Sequence, residues 1–422
     1  MIWISATSVS VNPIDSVYLG CGNRHKVHPE KIVDTLEASI LVAYSLDKVN
    51  KIVIISVDTL FLGPKVSQEI ITGLSGVFGC SEIFLAASHT HSAPMVDETK
   101  PLLGKRNDDY AKLLVSKIVS ETLSLASEPP TLSNLSFWRA NLGGIVSRRN
   151  LRRFSISRKG IRRNLVLQRP ATRQYHQKIY STVAEFRDVD GVLVAAIAVV
   201  PCHPVAYQGT NVISADVVGG IRNELRNQFM EERAVPFVLL QGASGDLNPW
   251  TRPKWSNQSF LALLDQLING LRFPLFSTSD LAVWSSLRVK EILSAKLEFN
   301  EQAGTLKLGM VRSSIRKVAL SQILEAAHDL ESRFFHVQKL ELENLKLVGV
   351  SAEVTWEFNE QVFKDLNNVA LVGCIRDSFG YITSSQQYLQ GGYEVDGHQY
   401  PFSIKHFLNQ SPGKIVAQFV NP

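Results

Sequence analysis

The chain has 422 residues, of which 45% are apolar and 20% are charged. This composition is typical of a globular protein with enough chain for a large core, and it excludes collagen-like, low-complexity and disordered classes. The formal net charge of +5 is small for this length, and no recognisable nucleic-acid-binding module is present. Nucleic acid is therefore not an expected partner, and the apolar runs are too short to form a transmembrane segment.

The amino-terminal segment and the cysteines indicate a cytoplasmic protein. Residues 1–13 lack the basic region, the long apolar stretch and the small-residue cleavage site of a secretory signal. The four cysteines are scattered without a C-x-x-C pair, unlike a thiolate zinc site or a disulfide framework. We therefore expect free thiols in a reducing compartment. No pattern in the sequence predicts an oligomeric state.

The first two thirds of the chain alternate between predicted strands and helices. Short apolar, β-branched runs predict strands, and apolar residues at helical spacing predict helices. The predicted strands are 51–57, 82–87, 182–187, 192–200 and 237–240. The predicted helices are 65–74, 109–125 and 217–229. The segment from Asp188 to Gly191 joins two of these strands as a hairpin-type turn.

The last third is predicted to hold a strand near 285–299, a helix over 314–334, a strand pair over 337–350 and a strand over 369–374. The whole pattern predicts a mixed α and β fold in which polar residues repeatedly follow strand ends. No internal repeat or long linker marks a boundary, so we expect a single domain over residues 1–422.

Histidines follow two of the predicted strands. His89 and His91 are two residues apart at a strand end, so their side chains leave the same face of that strand. They can present two imidazoles to one metal, or one to a metal and one to its substrate; strand-end histidines also serve as capping groups. His203 follows another strand in the same manner. Glu353 also follows an apolar strand, where a carboxylate is costly to bury without a cation or donor, and a solvated loop carboxylate is the alternative.

Residues 242–246 nearly match the G-x-S-x-G turn of serine hydrolases, but Asp246 stands where the last glycine is needed. A tight turn in which Asp246 orients a metal-ligand histidine fits this segment better.

The segment 148–169 contains nine basic residues in 22 positions and no acidic residue. It is interpreted either as a solvated basic loop or as an anchor for an acidic substrate.

Six short segments carry polar residues at or near the predicted strand ends. They are Ser88-His89-Thr90-His91-Ser92-Ala93-Pro94, Cys202-His203-Pro204, Ser214-Ala215-Asp216, Gly242-Ala243-Ser244-Gly245-Asp246-Leu247-Asn248-Pro249, Ala352-Glu353 and Gly380-Tyr381-Ile382-Thr383. In this order they resemble the neutral, non-lysosomal ceramidase family and its shorter bacterial relatives. The resemblance implies an α/β (mixed α+β) fold of layered mixed β-sheets flanked by helices, like the catalytic domain of that family. The family's secretion signal and its separate C-terminal immunoglobulin-like domain are not expected here.

The same resemblance implies a Zn²⁺ site and assigns a role to each matching residue. The implied zinc ligands are His89, His203, Glu353 and Tyr381. The implied catalytic residues are His91, which contacts the reacting carbonyl in the family, together with Arg148, Tyr381 and Ser214. Ser147 replaces the asparagine that precedes the arginine in the family motif, which makes Arg149 a rival to Arg148.

These residues together predict a zinc-dependent hydrolase that cleaves an N-acyl amide bond with a metal-activated water. Two substrate classes compete: an N-acyl lipid, as for a ceramidase, and an N-acetylated amino sugar or polysaccharide precursor, as for a deacetylase. The missing export and membrane features favour a small or polar acyl amide. The expected partner is thus a small-molecule, lipid or carbohydrate substrate, and the basic segment is compatible with an anionic one. The alternatives are an O-acyl esterase acting on a polar or anionic substrate and a non-catalytic binding protein that keeps the fold.

Overall fold

A computed structural model describes most of the chain. The described ranges are 1–21, 28–157, 160–168, 178–208, 210–229, 235–250, 276–298, 309–326, 333–363, 365–407 and 412–420. For 150–157, 160–168, 298, 324–326 and 405–407 the description is of the backbone alone.

The strands among these residues are numbered here in chain order. They are β1 (Ile2–Ser10), β2 (Lys31–Ile32), β3 (Glu37–Tyr44), β4 (Lys51–Val57), β5 (Ile83–Ala87), β6 (Thr131–Asn141), β7 (Ile145–Ser147), β8 (Arg149–Ser157), β9 (Gly160–Gln168), β10 (Tyr180–Arg187), β11 (Leu193–Val200), β12 (Val212–Ile213), β13 (Phe237–Gln241), β14 (Leu247–Pro249), β15 (Val311–Ala319), β16 (Leu324–Ala326), β17 (Phe334–Leu342), β18 (Leu345–Val350), β19 (Glu353–Val354), β20 (Val369–Val372), β21 (Tyr381–Ile382) and β22 (Ile404–Phe407).

The α-helices are numbered in the same way. They are α1 (Gly63–Leu74), α2 (Asp108–Ser127), α3 (Asp216–Gln228), α4 (Thr278–Glu298), α5 (Trp356–Phe363), α6 (Ser385–Gln390) and α7 (Pro412–Val420). A 3₁₀ turn covers Leu320–Gln322 and a π-helical turn covers Tyr393–Gly397. In the described part of the chain, no helix combines the length and the apolar character needed to cross a membrane.

One large mixed sheet organises the fold. Its strands lie in the order β13-β11-β10-β6-β1-β3-β4-β5. The outermost pairs, β11 with β13 and β4 with β5, are parallel, and the pairs between them are antiparallel. Traced through these pairings, β5 and β11 run in opposite directions. In a flat sheet, the loops that follow these two strands would therefore emerge at opposite ends.

The twist of the large sheet brings these loops to the same side. Neighbouring strands rotate by roughly 20–25°, so the six intervals from β11 to β5 add up to roughly 120–150°. The sheet coils so far that β13 packs against β3, β4 and β5. A buried hydrogen bond from Ser56 Oγ to the Leu239 carbonyl joins β4 to β13 across this contact. As a result, the loops after β5, β11 and β13 meet on one side of the molecule.

Further layers cover both faces of the large sheet. On one face, α1 to α4 contribute buried residues such as Ile70, Leu114 and Trp284 to one hydrophobic core. On the other face, the sheet β15-β17-β18-β20 packs through residues such as Leu340 and Leu347. Burial of both faces explains why the strands are almost continuously apolar. This layered arrangement of mixed sheets and helices confirms the predicted mixed α+β fold class.

The strands and helices predicted in the first two thirds of the chain are confirmed, with shifts of a few residues at their ends. The strand pair over 337–350 and the strand that begins at 369 are confirmed too.

Two predicted elements in the last third are wrong. The strand near 285–299 lies in α4, whose buried residues Leu281, Trp284, Arg288 and Ile292 recur at helical spacing. Where the predicted helix over 314–334 is described, residues 314–319 belong to the edge strand β15 and Leu324–Ala326 form the short strand β16. Residues 327–332 lie outside the described residues. Pairing of β15 along its whole length with β17 overrides the helical preference of its residues.

Candidate metal centre

The loop that follows β5 carries His89 and His91 and is held by backbone contacts. His89 has a φ of +67°, in the left-handed region that non-glycine residues rarely adopt. The His91 backbone N–H donates to the Pro204 carbonyl at 3.2 Å, and Thr90 Oγ1 donates to the Ser214 carbonyl at 2.7 Å. The left-handed backbone of His89 persists only where the surrounding structure enforces it. The contacts therefore fix both imidazoles against the neighbouring loops.

His203 and Glu353 reach the same place from other strand ends. His203 follows β11, and its backbone N–H donates to the Leu247 carbonyl at 2.9 Å. Glu353 begins β19, which pairs in parallel with β21 so that Glu353 lies opposite Tyr381. The Glu353 backbone N–H donates to the Gly380 carbonyl at 2.8 Å.

The four side chains converge on one buried point. We call His89, His91 and His203 the histidine cluster, because one ring nitrogen from each lies within 4.8 Å of the others. His91 Nε2 is 3.1 Å from His203 Nε2, and Glu353 Oε2 is 3.1 Å from His89 Nε2 and 3.8 Å from His203 Nε2. All four residues are buried, and His91 is the most accessible with 8% of its surface exposed.

Backbone carbonyls set the tautomers of two of these histidines. His89 Nδ1 is 2.9 Å from the Leu60 carbonyl oxygen, and His203 Nδ1 is 3.2 Å from the Ser244 carbonyl oxygen. A carbonyl oxygen only accepts, so each Nδ1 carries the proton that it donates. When such a ring is neutral, it directs the lone pair of Nε2 into the cluster. This is the outer-shell arrangement found behind metal-binding histidines.

The donor atoms fit a metal ion. His89 Nε2 and Glu353 Oε2 are both buried and lie 3.1 Å apart, but they are not aligned as a hydrogen bond, and among the described residues neither has another partner with that geometry. Such groups are costly to leave unsatisfied. Imidazole nitrogens and a carboxylate oxygen are a typical ligand set for zinc. Three buried histidines with a carboxylate beside them can therefore hold a metal ion.

The electrostatics of the cluster favour one added positive charge. Burial alone would lower the pKa of His89, but the Glu353 carboxylate and the Cys374 thiol raise it well above its ordinary value. Burial lowers the pKa of His203 well below its ordinary value, and the charges of His89 and Arg148 lower it further. The opposite directions of the two shifts favour positive charge at His89, beside Glu353, over His203. A metal cation would displace a proton held there.

Arg148 is connected to the site by a hydrogen bond to Tyr381. Its Nη2 donates to Tyr381 Oη at 3.2 Å and to the Gly245 carbonyl at 2.6 Å. Burial raises the pKa of Tyr381 well above its ordinary value, and the nearby Glu353 carboxylate adds to this effect. The phenol is therefore protonated at neutral pH, and it can donate a hydrogen bond or serve as a neutral ligand.

Arg149, the rival of Arg148, points to a different partner. Arg149 Nη1 donates to Glu394 Oε2 at 2.5 Å, and Nη2 donates to the Gly391 carbonyl at 2.8 Å. Arg148 Nε donates to the other oxygen of the same carboxylate at 2.8 Å. Both arginines thus share Glu394, and the described contact with Tyr381 comes from Arg148.

Ser214 lies next to the histidine loop, with its hydroxyl turned to an aspartate. Ser214 Oγ donates to Asp34 Oδ2 and accepts from the Asp216 backbone N–H at 2.8 Å. Its carbonyl accepts from Thr90, the residue between the two histidines of the loop. Burial raises the pKa of Asp34 to about 6. This geometry makes Ser214 a support of the histidine loop.

Asp246 does not orient a metal-ligand histidine, contrary to the prediction for its turn. Asp246 Oδ1 accepts from the Trp356 backbone N–H at 2.8 Å, and Oδ2 accepts from Gln387 Nε2 at 3.0 Å. The group in this turn that orients a histidine is the carbonyl of Ser244. The aspartate instead joins the turn to α5 and α6.

The basic segment forms an antiparallel hairpin of β8 and β9. Arg148 and Arg149, at its start, are buried and paired with Glu394. The side chains of the remaining basic residues, up to Arg169, lie outside the described part of the chain.

Several contributors to the site carry no recognisable sequence signal. Leu60 and Ser244 act through backbone carbonyls, which no side-chain pattern reveals. Glu394 lies two residues after a Gly-Gly pair, which predicts only a turn. Cys374 touches His89 from a loop whose sequence offers no motif.

The fold resembles that of solved ceramidases. No protein-family model and no curated protein matches the chain. The structure of neutral ceramidase from Pseudomonas aeruginosa matches with a TM-score of 0.70 and 15% identity, over 100% of this chain and 73% of that chain. A ceramidase complexed with C2 matches with a TM-score of 0.71 and 14% identity, over 100% of this chain and 74% of that chain. At these identities the likeness is one of fold, and this chain has a ceramidase-like fold.

Proposed function

We propose that this protein is a zinc-dependent hydrolase of N-acyl amide bonds. The observation that carries the proposal is the convergence of the histidine cluster and the Glu353 carboxylate in one buried site. Hydrolytic zinc sites use such ligands and keep one position open for water. The ceramidase-like fold supports the choice of an amide as the bond that is cleaved.

In this proposal, His89, His203 and Glu353 hold the metal and Tyr381 completes the set as a weak ligand. The Nδ1 contacts of His89 and His203 with backbone carbonyls support their role as ligands. His91 is assigned to the substrate. Because His91 Nε2 lies 3.1 Å from His203 Nε2, it is also close enough to be a ligand itself, and the experiment below separates the two roles.

When bound, zinc supplies Lewis acidity and lowers the pKa of a water molecule, so that a nucleophile is available near neutral pH. The chain supplies the other groups. Arg148 carries a permanent positive charge beside Tyr381, and together they stabilise negative charge that develops on the acyl oxygen. Tyr381 keeps its proton because burial raises its pKa, so Oη can donate to that oxygen. His91, the most accessible of the histidines, delivers a proton to the leaving nitrogen.

The substrate we propose is an N-acyl lipid. The Phe61 ring centroid lies 4.8 Å from that of His89, and the Phe402 ring centroid lies 6.1 Å from that of Tyr381. Both rings are buried behind these side chains, with Lys100 Nζ over each of them, so they help to hold His89 and Tyr381 in place. The choice of a lipid is supported by the ceramidase-like fold. An N-acetylated amino sugar and an O-acyl ester are the competing substrates in the assay.

The decisive experiment measures zinc and turnover in the same preparations. Protein purified without chelator is expected to carry about one zinc per chain, and H89A and H203A are expected to lose it. H91Q is expected to keep zinc but to hydrolyse an N-acyl amide at least about a hundredfold more slowly, the scale of general acid catalysis. H336Q is the matched control, because His336 is also buried but lies in β17. It should keep both zinc and turnover.

Three outcomes would contradict parts of the proposal. Absence of zinc from protein never exposed to chelator refutes the metalloenzyme. Loss of zinc from H91Q makes His91 a ligand. Turnover that is faster with an acetyl than with a long acyl group, on the same amine, refutes the lipid substrate.

A further inference from the structure

A second polar site lies behind the histidine cluster, in a cleft between the large sheet and α5. It is narrow, with a cavity volume of about 20 Å³, and it opens to solvent. Residues of β6 and β10 form one wall, and α5 forms another. The floor includes Pro201 and Gly242, which directly follow β11 and β13. The cleft thus lies on the back of the loops that carry His203 and the Ser244 carbonyl.

Arg139 brings a positive charge to this cleft. Arg139 lies opposite Thr182 in the pairing of β6 with β10. Tyr180 is two residues before Thr182 in β10, so both side chains lie on the same face of the sheet. The Arg139 guanidinium carbon lies 4.5 Å from the Tyr180 ring centroid, so the ring supports the cation from one side. Burial lowers the pKa of Arg139, because the loss of solvation outweighs the opposing effects of Tyr180 and Glu360. An anion bound in the cleft would compensate part of this lost solvation.

Trp356 adds a hydrogen-bond donor that lacks an acceptor. Only 3% of its surface is exposed, and it lines the cleft. Among the described residues, no acceptor lies within hydrogen-bond geometry of Trp356 Nε1. An indole N–H can only donate, and a buried donor without a partner is costly. The buried side chains of Thr182 and Asn359 add a hydroxyl and an amide to the same lining.

We propose that this cleft is a binding site for a small oxyanion, a carboxylate or a phosphate group, held by Arg139 and Trp356. A guanidinium presents two parallel N–H groups that match two oxygens of such an anion. The indole N–H and the amide of Asn359 then donate to its remaining lone pairs. The site is separate from the proposed hydrolase centre, and the inference does not depend on that activity.

The test is calorimetric titration of the purified full-length protein with inorganic phosphate and, separately, with acetate at constant ionic strength. We expect saturable binding of at least one anion, and the comparison of the two identifies the preferred oxyanion. R139Q should weaken that binding by about tenfold or more, the scale of a charge-assisted hydrogen bond. W356F keeps the ring but removes the N–H, and it should weaken binding by roughly threefold or more, the scale of a single hydrogen bond. R312Q, at an exposed arginine of β15, should bind as the wild type does.

The result that would overturn the proposal is binding that R139Q and W356F leave unchanged, because an anion at another site, including a metal centre, would give that pattern. Saturation by neither anion would overturn it equally. W356F also keeps the proposal testable if R139Q does not fold.

Discussion

Glu394 is predicted to be a main electrostatic support of the site, and replacing it with glutamine tests this. The Glu394 side chain has no exposed surface, and those of Arg148 and Arg149 are 7% and 5% exposed. One carboxylate oxygen is 2.8 Å from Arg148 Nε, and the other is 2.5 Å from Arg149 Nη1. The amide of glutamine can accept from one arginine only, and its own N–H groups oppose the other.

The expected loss of stability follows from these distances. With an effective dielectric constant of about 20, Coulomb's law gives about 6 kcal/mol of attraction for a pair of unit charges at this separation. Part of it offsets the desolvation of the charges, and removing one partner of a buried pair costs about 3–5 kcal/mol. We therefore expect E394Q to lower the free energy of unfolding by about 3–5 kcal/mol. The double variant R149Q/E394Q should recover part of the loss, because it removes one of the two uncompensated cations.

The assay is urea denaturation followed by circular dichroism and fluorescence. The matched control is E341Q, since Glu341 meets Lys346 at 3.9 Å on a partly exposed surface, where ion pairs contribute about 1 kcal/mol or less. In zinc-loaded protein, E394Q should also slow turnover, because Arg148 would no longer hold Tyr381. The reasoning would be refuted if E394Q lowered the free energy of unfolding by no more than E341Q does.

Two further predictions concern Ser214 and His336. S214A should keep zinc, lose about 1–2 kcal/mol of stability because Asp34 and the Asp216 N–H lose a partner, and slow turnover by less than about tenfold. A fall of a thousandfold or more in kcat with zinc retained would make Ser214 the nucleophile. Burial and the charges of Arg376 and Lys317 lower the pKa of His336 to about 3. Below about pH 6.5, His336 is therefore protonated in the unfolded chain but stays neutral in the folded protein. The free energy of unfolding falls as the pH drops toward 3. Between pH 7 and pH 5 the wild type should lose about 2 kcal/mol more than H336Q does, and equal losses in the two proteins would contradict this assignment.

Local patterns in the sequence were sufficient for several strands of both larger sheets and for the first three helices. Short β-branched runs predicted β4, β5, β11 and β13, because strands buried on both faces are apolar throughout. The same reasoning failed in the last third. For β15, pairing with a distant strand outweighs local preference, and such pairing is not visible in a single segment.

The candidate site divides in a similar way. Strand ends, and the resemblance of short segments to the ceramidases, singled out His89, His91, His203, Glu353 and Tyr381, and the structure brings these side chains together. Their roles remain predictions. The carbonyls of Leu60 and Ser244 could not be predicted, because any residue can supply a backbone oxygen.

By itself, the sequence located β4, β5, β10, β11 and β13 in the first two thirds and placed polar side chains that could bind a metal after several of them, but it did not reveal β1, β3 and β6. Only the tertiary structure decided that these side chains meet. His91 and His203 are 112 residues apart. They follow β5 and β11, two strands of the large sheet that run in opposite directions. Their rings approach because twist accumulates across the large sheet and coils one edge over the other. That twist is a property of the assembled sheet, and no single strand contains it.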